Sequence, residues 1–459
     1  MSRSLGGWRL AVEAALPVRD LRDVDGRQVG WVLGHPLERG VGAAAETLLV
    51  SVGTGDELDR WARRFDGRFV VVAVAAGYVV PDSVASLPVV FDPERQLVSS
   101  SPFLLDAPDE EVPDHELALV VRTHETGLWF PFDTTPHARA RRLQANHVLS
   151  LSTWAQRRAW PRGSFRPVEP EAANELIARR VTEVLTAAGA AASLNYSLTA
   201  GGDTRALLAC SREFLDRTSF FTVGLPDESG RTDGRVASSV ARRFRLDHRL
   251  LAWIRPTAAD VARFRYRTGG LVGELRGSRA GPTYALLAAP ESVYVSGINT
   301  GLAPVIHDVG WRKADRKGIG LSPRELLQRF ALPRDPALLA AAERWLAGLP
   351  DLDPMETLSL LSIELRFGNW GGALTTAYPE AYSYTLYPFG TRDRLRAVLG
   401  LPAGYRFQAN QRAEIVRLRW PELLQLPLNP QAPSARVRTR VRAIRTDAGV
   451  AARQLGIRR

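Results

Sequence analysis

The order of apolar and polar positions divides the chain into two textures. Up to about residue 165, short apolar runs are broken by turn residues. Phe69 to Val74 is one such run, followed by Gly77, Pro81 and Asp82. Residues 87–91 and 96–100 are two more, separated by Asp92 and Pro93. Runs of this length between Gly, Pro and Asp predict an antiparallel sheet. Residues 115–121 read as a short helix. Trp160-Pro161-Arg162-Gly163-Ser164, then Pro167 and Pro170, form a proline-rich junction. Beyond it the period lengthens. Residues 171–188 put Leu176, Ile177, Val181, Val184 and Leu185 on one helical face, with Gly189 as the stop. Strands are expected at 193–198, 218–223, 248–253 and 292–295, and helices at 203–214 and 233–244. Strands alternating with helices imply a parallel sheet covered on both faces, with ligands at the strands' carboxyl ends. From about 322 to 425 the pattern is mainly helical, with Trp345, Trp370 and Trp420 expected to pack there.

Composition narrows the class. With 45% hydrophobic and 24% charged residues over 459 positions, two or three soluble domains are expected. The single Cys210 excludes an internal disulfide framework and a cysteine zinc cluster, which points to a reducing, cytoplasmic setting. The start of the chain shows no secretion signal, and no apolar run reaches the roughly 18–20 residues of a membrane span. The formal charge of +11 fits anionic partners such as nucleotides, or simply a solvated basic surface. Nucleic acid finds no support from an aromatic or RNA-module signature. Residues 433–459 form a basic tail, read as a disordered arm, an amphipathic helix or a nucleic-acid contact. The seven histidines show no metal-ligand spacing, so His147 and His248 are read as structural.

The stretch that carries chemistry is Tyr196-Ser197-Leu198-Thr199-Ala200-Gly201-Gly202-Asp203-Thr204-Arg205, running on into Ala206-Leu207-Leu208. A strand enters a small-residue turn and leaves it as a helix. Ala and Gly let the backbone approach an anion closely, and their N–H groups can form a concave nest. The next helix adds unpaired N–H groups and the positive end of its dipole. Thr199 and Thr204 offer hydroxyl donors. Asp203 would repel bare phosphate, so its natural use is to hold Mg²⁺ bridging phosphate oxygens, with a helix cap as the alternative. The glycine pair alone is most often a structural turn.

This segment resembles the Ser-Gly-Gly-x-Asp-Ser loop of the PP-loop ATP pyrophosphatases, and most of all the variant in asparagine synthetase-like proteins. Phe220-Phe221-Thr222-Val223-Gly224 resembles that family's second strand. The segment from Asp233 through Val236, Ala237, Val240 and Ala241 to His248 resembles the helix and strand that follow. Ser296-Gly297 resembles the start of its third nucleotide-binding segment. The resemblance spans about 190–300. It implies ATP and Mg²⁺ as cofactors, with Leu198, Thr199, Ala200, Gly201, Gly202, Asp203, Thr204, Val223, Gly224, Ser296 and Gly297 around the nucleotide and Asp203 on the metal. Phe65-Asp66-Gly67-Arg68-Phe69 and the hairpins to Ser100 resemble, more weakly, the family's glutamine-hydrolysing domain, with residues 144–161 as the link. The implied fold is α/β. A mainly antiparallel, Ntn-hydrolase-like domain over 1–165 precedes a PP-loop parallel α/β domain with a helical C-terminal part over 166–432.

Two departures matter. The family's glutaminase uses a cysteine at position 2, where this chain has Ser2 followed by Arg3, so glutamine hydrolysis is not expected. Cys210 reads as a packed residue. The family's third segment carries acids, whereas this one reads Ser296-Gly297-Ile298-Asn299-Thr300-Gly301-Leu302. Asn299, His307 or Asp308 are the candidates to compensate. In the helical part, Glu364, Arg366 and Arg392 are candidates for catalytic contacts to pyrophosphate or substrate, with a structural ion-pair network as the alternative. This part resembles a branch of asparagine synthase-related proteins often encoded with biosynthetic clusters. The expected activity is an ATP-dependent, AMP-forming carbon–nitrogen ligase. It would join a small-molecule or peptide carboxylate to an amine without glutamine hydrolysis, as in β-lactam synthetases and lasso-peptide cyclases. A non-catalytic descendant that binds nucleotide or a partner protein, and a PP-loop RNA-modifying enzyme, are the alternatives. A homodimer is compatible with each.

Overall fold

A computed structural model describes residues 1–105, 129–274, 278–298, 321–330, 332–407, 411–428 and 430. The helix expected at 115–121, the compensating residues Asn299, His307 and Asp308, and the tail 433–459 lie outside the described residues. The fold is mixed α/β, built from antiparallel and mixed sheets, one parallel sheet and helices.

The first part is almost all strand. A hairpin of β1 (Ser2–Leu5) and β2 (Trp8–Ala11) leads into β3 (Val18–Arg22), β4 (Gln28–Glu38), β5 (Gly42–Ala43) and β6 (Thr47–Leu49). Helix α1 (Gly55–Ala62) follows, begun by a capping box in which Thr54 and Glu57 exchange side-chain and backbone hydrogen bonds. Then come β7 (Phe65–Ala73), β8 (Tyr78–Pro81), β9 (Val90–Asp92), β10 (Leu97–Ser99), β11 (Arg141–Arg142), β12 (His147–Ser150) and β13 (Gln156–Arg158). The large sheet runs β13-β12-β8-β7-β4-β3-β6, with β5 on β4. It is antiparallel except where β3 meets β6. Its central strand β7 is buried on both faces, which explains why Phe69 to Val72 reads as a continuous apolar run rather than an alternating one.

Helix α2 (Pro170–Ala191) crosses to the second part, with Ile177, Val181, Val184 and Leu185 fully buried as their spacing predicted. It does not stop at Gly189. A glycine inside a helix costs only about 1 kcal/mol, and burial of the flanking Ala188 and Leu185 outweighs that. Then follow β14 (Leu194–Ser197), α3 (Gly202–Cys210), β15 (Thr218–Gly224), α4 (Glu228–Phe244), β16 (His248–Ala252), α5 (Ala258–Thr268) and β17 (Val293–Val295). The parallel sheet has the order β16-β15-β14-β17-β18, so β14 is central. Its last strand, β18 (Tyr384–Leu386), pairs residue for residue with β17, within a stretch whose sequence reads as mainly helical. Three residues inside a helical region carry no period. The helix expected to reach 214 ends at Cys210; tight 3₁₀ turns replace it, with Phe214 outside helical geometry.

Around β18 the chain is helical. Helices α6 (Pro323–Arg329), α7 (Pro336–Ala347) and α8 (Pro354–Ile363) run into a π-helical segment, Glu364–Gly372. After β18 come α9 (Arg392–Leu399) and α10 (Gln411–Arg419). Trp345 and Trp420 are buried, and Trp370 is half-buried against Trp129. The π-helical segment is the seam between the two parts. Gly368 and Gly372 bring its backbone against Val84 and Ala85; a Cβ on Gly372 would stand 2.7 Å from the Ala85 carbonyl oxygen. The buried Arg142 donates to the carbonyls of Gly368 and Asn369. Asn369 in turn donates to the carbonyls of Phe130 and Phe132.

Candidate functional site

The loop Leu198 to Thr204 leaves the carboxyl end of the central strand. The Leu198 N–H donates to the Phe221 carbonyl of β15 at 2.8 Å, carrying the pairing one step past β14. The Thr222 hydroxyl donates to the Leu198 carbonyl at 2.6 Å. Its single hydrogen is then spent, so the His248 Nε2, 2.9 Å away, must be the donor to Thr222. Burial lowers the His248 pKa. His248 thus fixes the edge on which the loop stands.

The loop is held in shape by its own hydroxyls. Thr199 and Thr204 meet at 3.1 Å, the Gly201 N–H donates to Thr199 Oγ1 at 3.0 Å, and the Thr199 N–H donates to Thr204 Oγ1 at 3.3 Å. The Ala200 N–H donates to Asp233 Oδ1 of α4 at 2.9 Å. Burial pushes the Asp233 carboxyl up, and that hydrogen bond pulls it back down. Gly201 is the N-cap of α3 and supplies no side-chain cap, which leaves the first-turn amides facing the sheet's carboxyl edge. Gly297 closes the other side: a Cβ there would stand 3.3 Å from the backbone carbon of Asp203. Ser296 is buried beside it, and Val223 and Gly224 end the neighbouring strand, half-buried. Residues 198–204, 223–224 and 296–297 are therefore brought to one edge of the sheet.

Charge reaches this edge from three helical segments. Arg412, near the start of α10, forms an ion pair with Asp203. Its side chain crosses Gly202, where a Cβ would stand 2.9 Å from the arginine Cδ. Arg366 of the π-helical segment is pushed down by burial, while the Asp203 carboxylate pulls it up. Arg394 of α9 is fully buried and donates to the Phe389 carbonyl at 2.6 Å. Burial lowers it to about 9, with Asp203 acting to raise it and Arg412 to lower it further. Arg205, next in the motif, turns away and donates to the carbonyls of Leu423 and Pro427. It ties α3 to the end of the described chain.

The other two expected contacts have different surroundings. Glu364 is buried and accepts from Arg158 at 2.6 Å, Asn146 at 2.9 Å and the Trp345 indole at 2.6 Å. Although burial works against its charge, Arg158 holds the carboxyl below its ordinary range. Arg392 is buried between Asp59, at 3.3 Å, and the face of Trp160. Burial brings it down to about 9 against the pull of Asp59. These are the contacts of an ion-pair network joining the two parts. Cys210 is buried, its thiol pushed up to about 12 by burial. Ser2 is a strand residue paired with Ala11.

Sequence reasoning missed Arg394, Arg412 and the role of Asp233. Asp233 stood in a recognised pattern, but nothing aimed it at the loop. Arg394 and Arg412 are two among 60 Lys and Arg residues and follow no spacing that singles them out. As to metal, Asp203 is the loop's one carboxylate, and it is about one third exposed. Among the described residues, no group of three or more His, Cys, Asp or Glu gathers where it could hold an ion. Nor, among them, is any helix long and apolar enough to cross a membrane. No protein-family model matches the chain, and no curated protein matches it.

Proposed function

We propose that the chain binds ATP at the loop 199–204 and uses it to adenylate a carboxylate, which then forms an amide with an amine. The observation that supports this most is the loop itself: a small-residue turn between the central parallel strand and a helix whose N-cap is a glycine, with Arg412 paired to its aspartate and Arg366 and Arg394 within electrostatic reach of it. Such an edge favours a polyphosphate through backbone amides, helix dipole and guanidinium forks. A carboxylate oxygen would attack the α-phosphorus, breaking the bond to the β-phosphate and releasing pyrophosphate. The amine nitrogen would then attack the acyl carbon, AMP would leave, and the amine proton would pass to solvent. The chain's contribution would be to position the reactants and neutralise the leaving pyrophosphate. Arg366 and Arg394 are the residues proposed for that neutralisation. Mg²⁺, where it takes part, would be held through Asp203 and would shield the phosphates. The amine would come from the substrate or a second molecule, because Cys210 is buried away as a thiol. The chain is proposed to be a PP-loop protein of the asparagine synthetase-like kind, whose first part keeps the β layers of an Ntn-type domain without its nucleophile.

A second reading is favoured by the Asp203–Arg412 ion pair and the missing acids after Gly297: a descendant that binds nucleotide without turnover. Isotope exchange between pyrophosphate and ATP separates the two. With a panel of amino acids and peptides bearing free carboxylates, exchange dependent on one of them supports the ligase. ATP binding with no exchange across the panel supports the second reading. No ATP binding at all removes both.

A further inference from the structure

A cavity of about 300 Å³ lies between Pro170, Glu171 and Asn174 of α2 and Glu414, Arg417 and Leu418 of α10, with Tyr405 beside them. Glu171 and Asn174 stand one turn apart on α2, as Glu414 does from Arg417 and Leu418 on α10, so each set shares one helix face. The most deeply buried of these residues is Asn174, 3% exposed. Its Nδ2 donates to the Tyr405 hydroxyl at 2.6 Å, but its Oδ1 has no hydrogen-bond partner among the described residues. A buried acceptor left unpaired is costly. Placed in the wall of a cavity, it points to a donor brought by a ligand. We propose that this cavity binds a free amino acid with an aliphatic side chain, as the zwitterion.

The lining offers a partner to each end of such a molecule. Arg417 donates to Glu414 Oε2 through Nε at 2.8 Å, which leaves its two terminal nitrogens to fork onto a carboxylate. The Tyr405 hydroxyl accepts from Asn174 and keeps its own hydrogen for the same group. Glu169, the N-cap of α2, supplies no side-chain cap, so the positive end of this helix also favours the carboxylate. An ammonium carries three hydrogens and accepts none. Asn174 Oδ1, the Glu414 oxygen that Arg417 does not use, and the Glu171 carboxylate are the acceptors for it. Pro170 and Leu418 leave apolar wall for a short aliphatic side chain. A lone cation would face Arg417 and the helix dipole, and a lone anion would face two glutamates. A molecule bearing both charges satisfies both halves. None of these residues belongs to the loop 199–204, and the site stands without the nucleotide reading.

The test is calorimetric titration of the full chain with L-leucine, and with isocaproate and isoamylamine, which each keep its side chain and lack one of its charges. Leucine is expected to bind saturably, and each analogue at least about tenfold more weakly. Arg417→Gln changes an exposed side chain and should weaken leucine by about tenfold. Asn174→Leu should weaken it by a similar factor, yet melt no lower than the natural chain without ligand, because it removes a buried amide with an unpaired acceptor. Absence of leucine binding overturns the proposal. So does an analogue that binds as tightly as leucine. Leucine affinity unchanged in Arg417→Gln places the binding elsewhere on the chain and overturns it as well, whatever the fate of the loop as a nucleotide site.

Discussion

Replacing Glu364 by Gln should unfold the seam rather than impair chemistry alone. The carboxylate and the Arg158 guanidinium are both almost wholly buried, with side-chain exposures of 2% and 3%. Removing one partner of such a pair leaves the other charge in a low-dielectric interior, and costs about 3–5 kcal/mol. Gln keeps one oxygen for Asn146 or Trp345 and leaves a further buried donor without an acceptor, so nothing in its geometry offsets the loss. Against a total of roughly 5–15 kcal/mol for a folded domain, this is a large fraction. Urea unfolding followed by tryptophan fluorescence should show the midpoint fall sharply. Arg158→Met added to Glu364→Gln should recover part of the loss, because the double variant buries no unpaired charge, with a coupling of about 0.5–3 kcal/mol. A glutamate that touches substrate would behave oppositely: the midpoint would stay and pyrophosphate exchange would fall. A shift below about 1 kcal/mol for Glu364→Gln would refute the buried-pair account.

Acid should destabilise the chain through His35 and His147. Burial is the first cause for both, and each is lowered to about 4, below the ordinary 6.5. Between those values the unfolded chain binds more protons than the folded one. The contribution is therefore complete above about pH 6.5 and is lost as pH falls toward 4, up to about 3 kcal/mol for each ring. Urea midpoints from pH 7.5 to 4.5 should slope accordingly, and His147→Gln should flatten the slope; an unchanged slope counts against it. Gly372→Ala should cost about 1–3 kcal/mol, because its Cβ would meet the Ala85 carbonyl, whereas Gly404→Ala, with open space around it, should stay within about 0.5 kcal/mol. Thermal melts of the two variants side by side would show it, and equal melting temperatures would contradict the close approach at the seam.

What the sequence shows of this molecule is what depends on neighbours along the chain. The run into Gly201-Gly202 and out into Ala206-Leu207-Leu208 marks a strand, a turn and a helix because the backbone demands are local. The same holds for the apolar face of α2. By contrast, β18 is only three residues long and exists because β17 offers it a parallel edge. No pattern within 384–386 expresses that. Arg412 lies about two hundred residues beyond Asp203 and pairs with it only through the packing of α10, and Arg394 comes within electrostatic reach of it through α9. Glu364 and Arg392 show the reverse difficulty. Their charges advertise chemistry, but whether a charge serves a ligand or a buried pair is decided by burial, which a single sequence does not display.

The buried pairs also explain how a first part without a nucleophilic thiol bears on the loop. Buried charged side chains need a counter-charge or a set of hydrogen-bond acceptors. Asp59 pairs with Arg392 at the start of α9, and Arg158 pairs with Glu364 at the start of the π-helical segment. Arg142 fixes two carbonyls of that same segment. Arg394 lies two residues beyond Arg392, and Arg366 two beyond Glu364. Two of the three segments that bring positive charge toward Asp203, the π-helical segment and α9, are thus anchored, within a helical turn, by a residue of the antiparallel sheet or its helix. In this way the first part braces the segments that carry Arg366 and Arg394, two residues beyond Glu364 and Arg392.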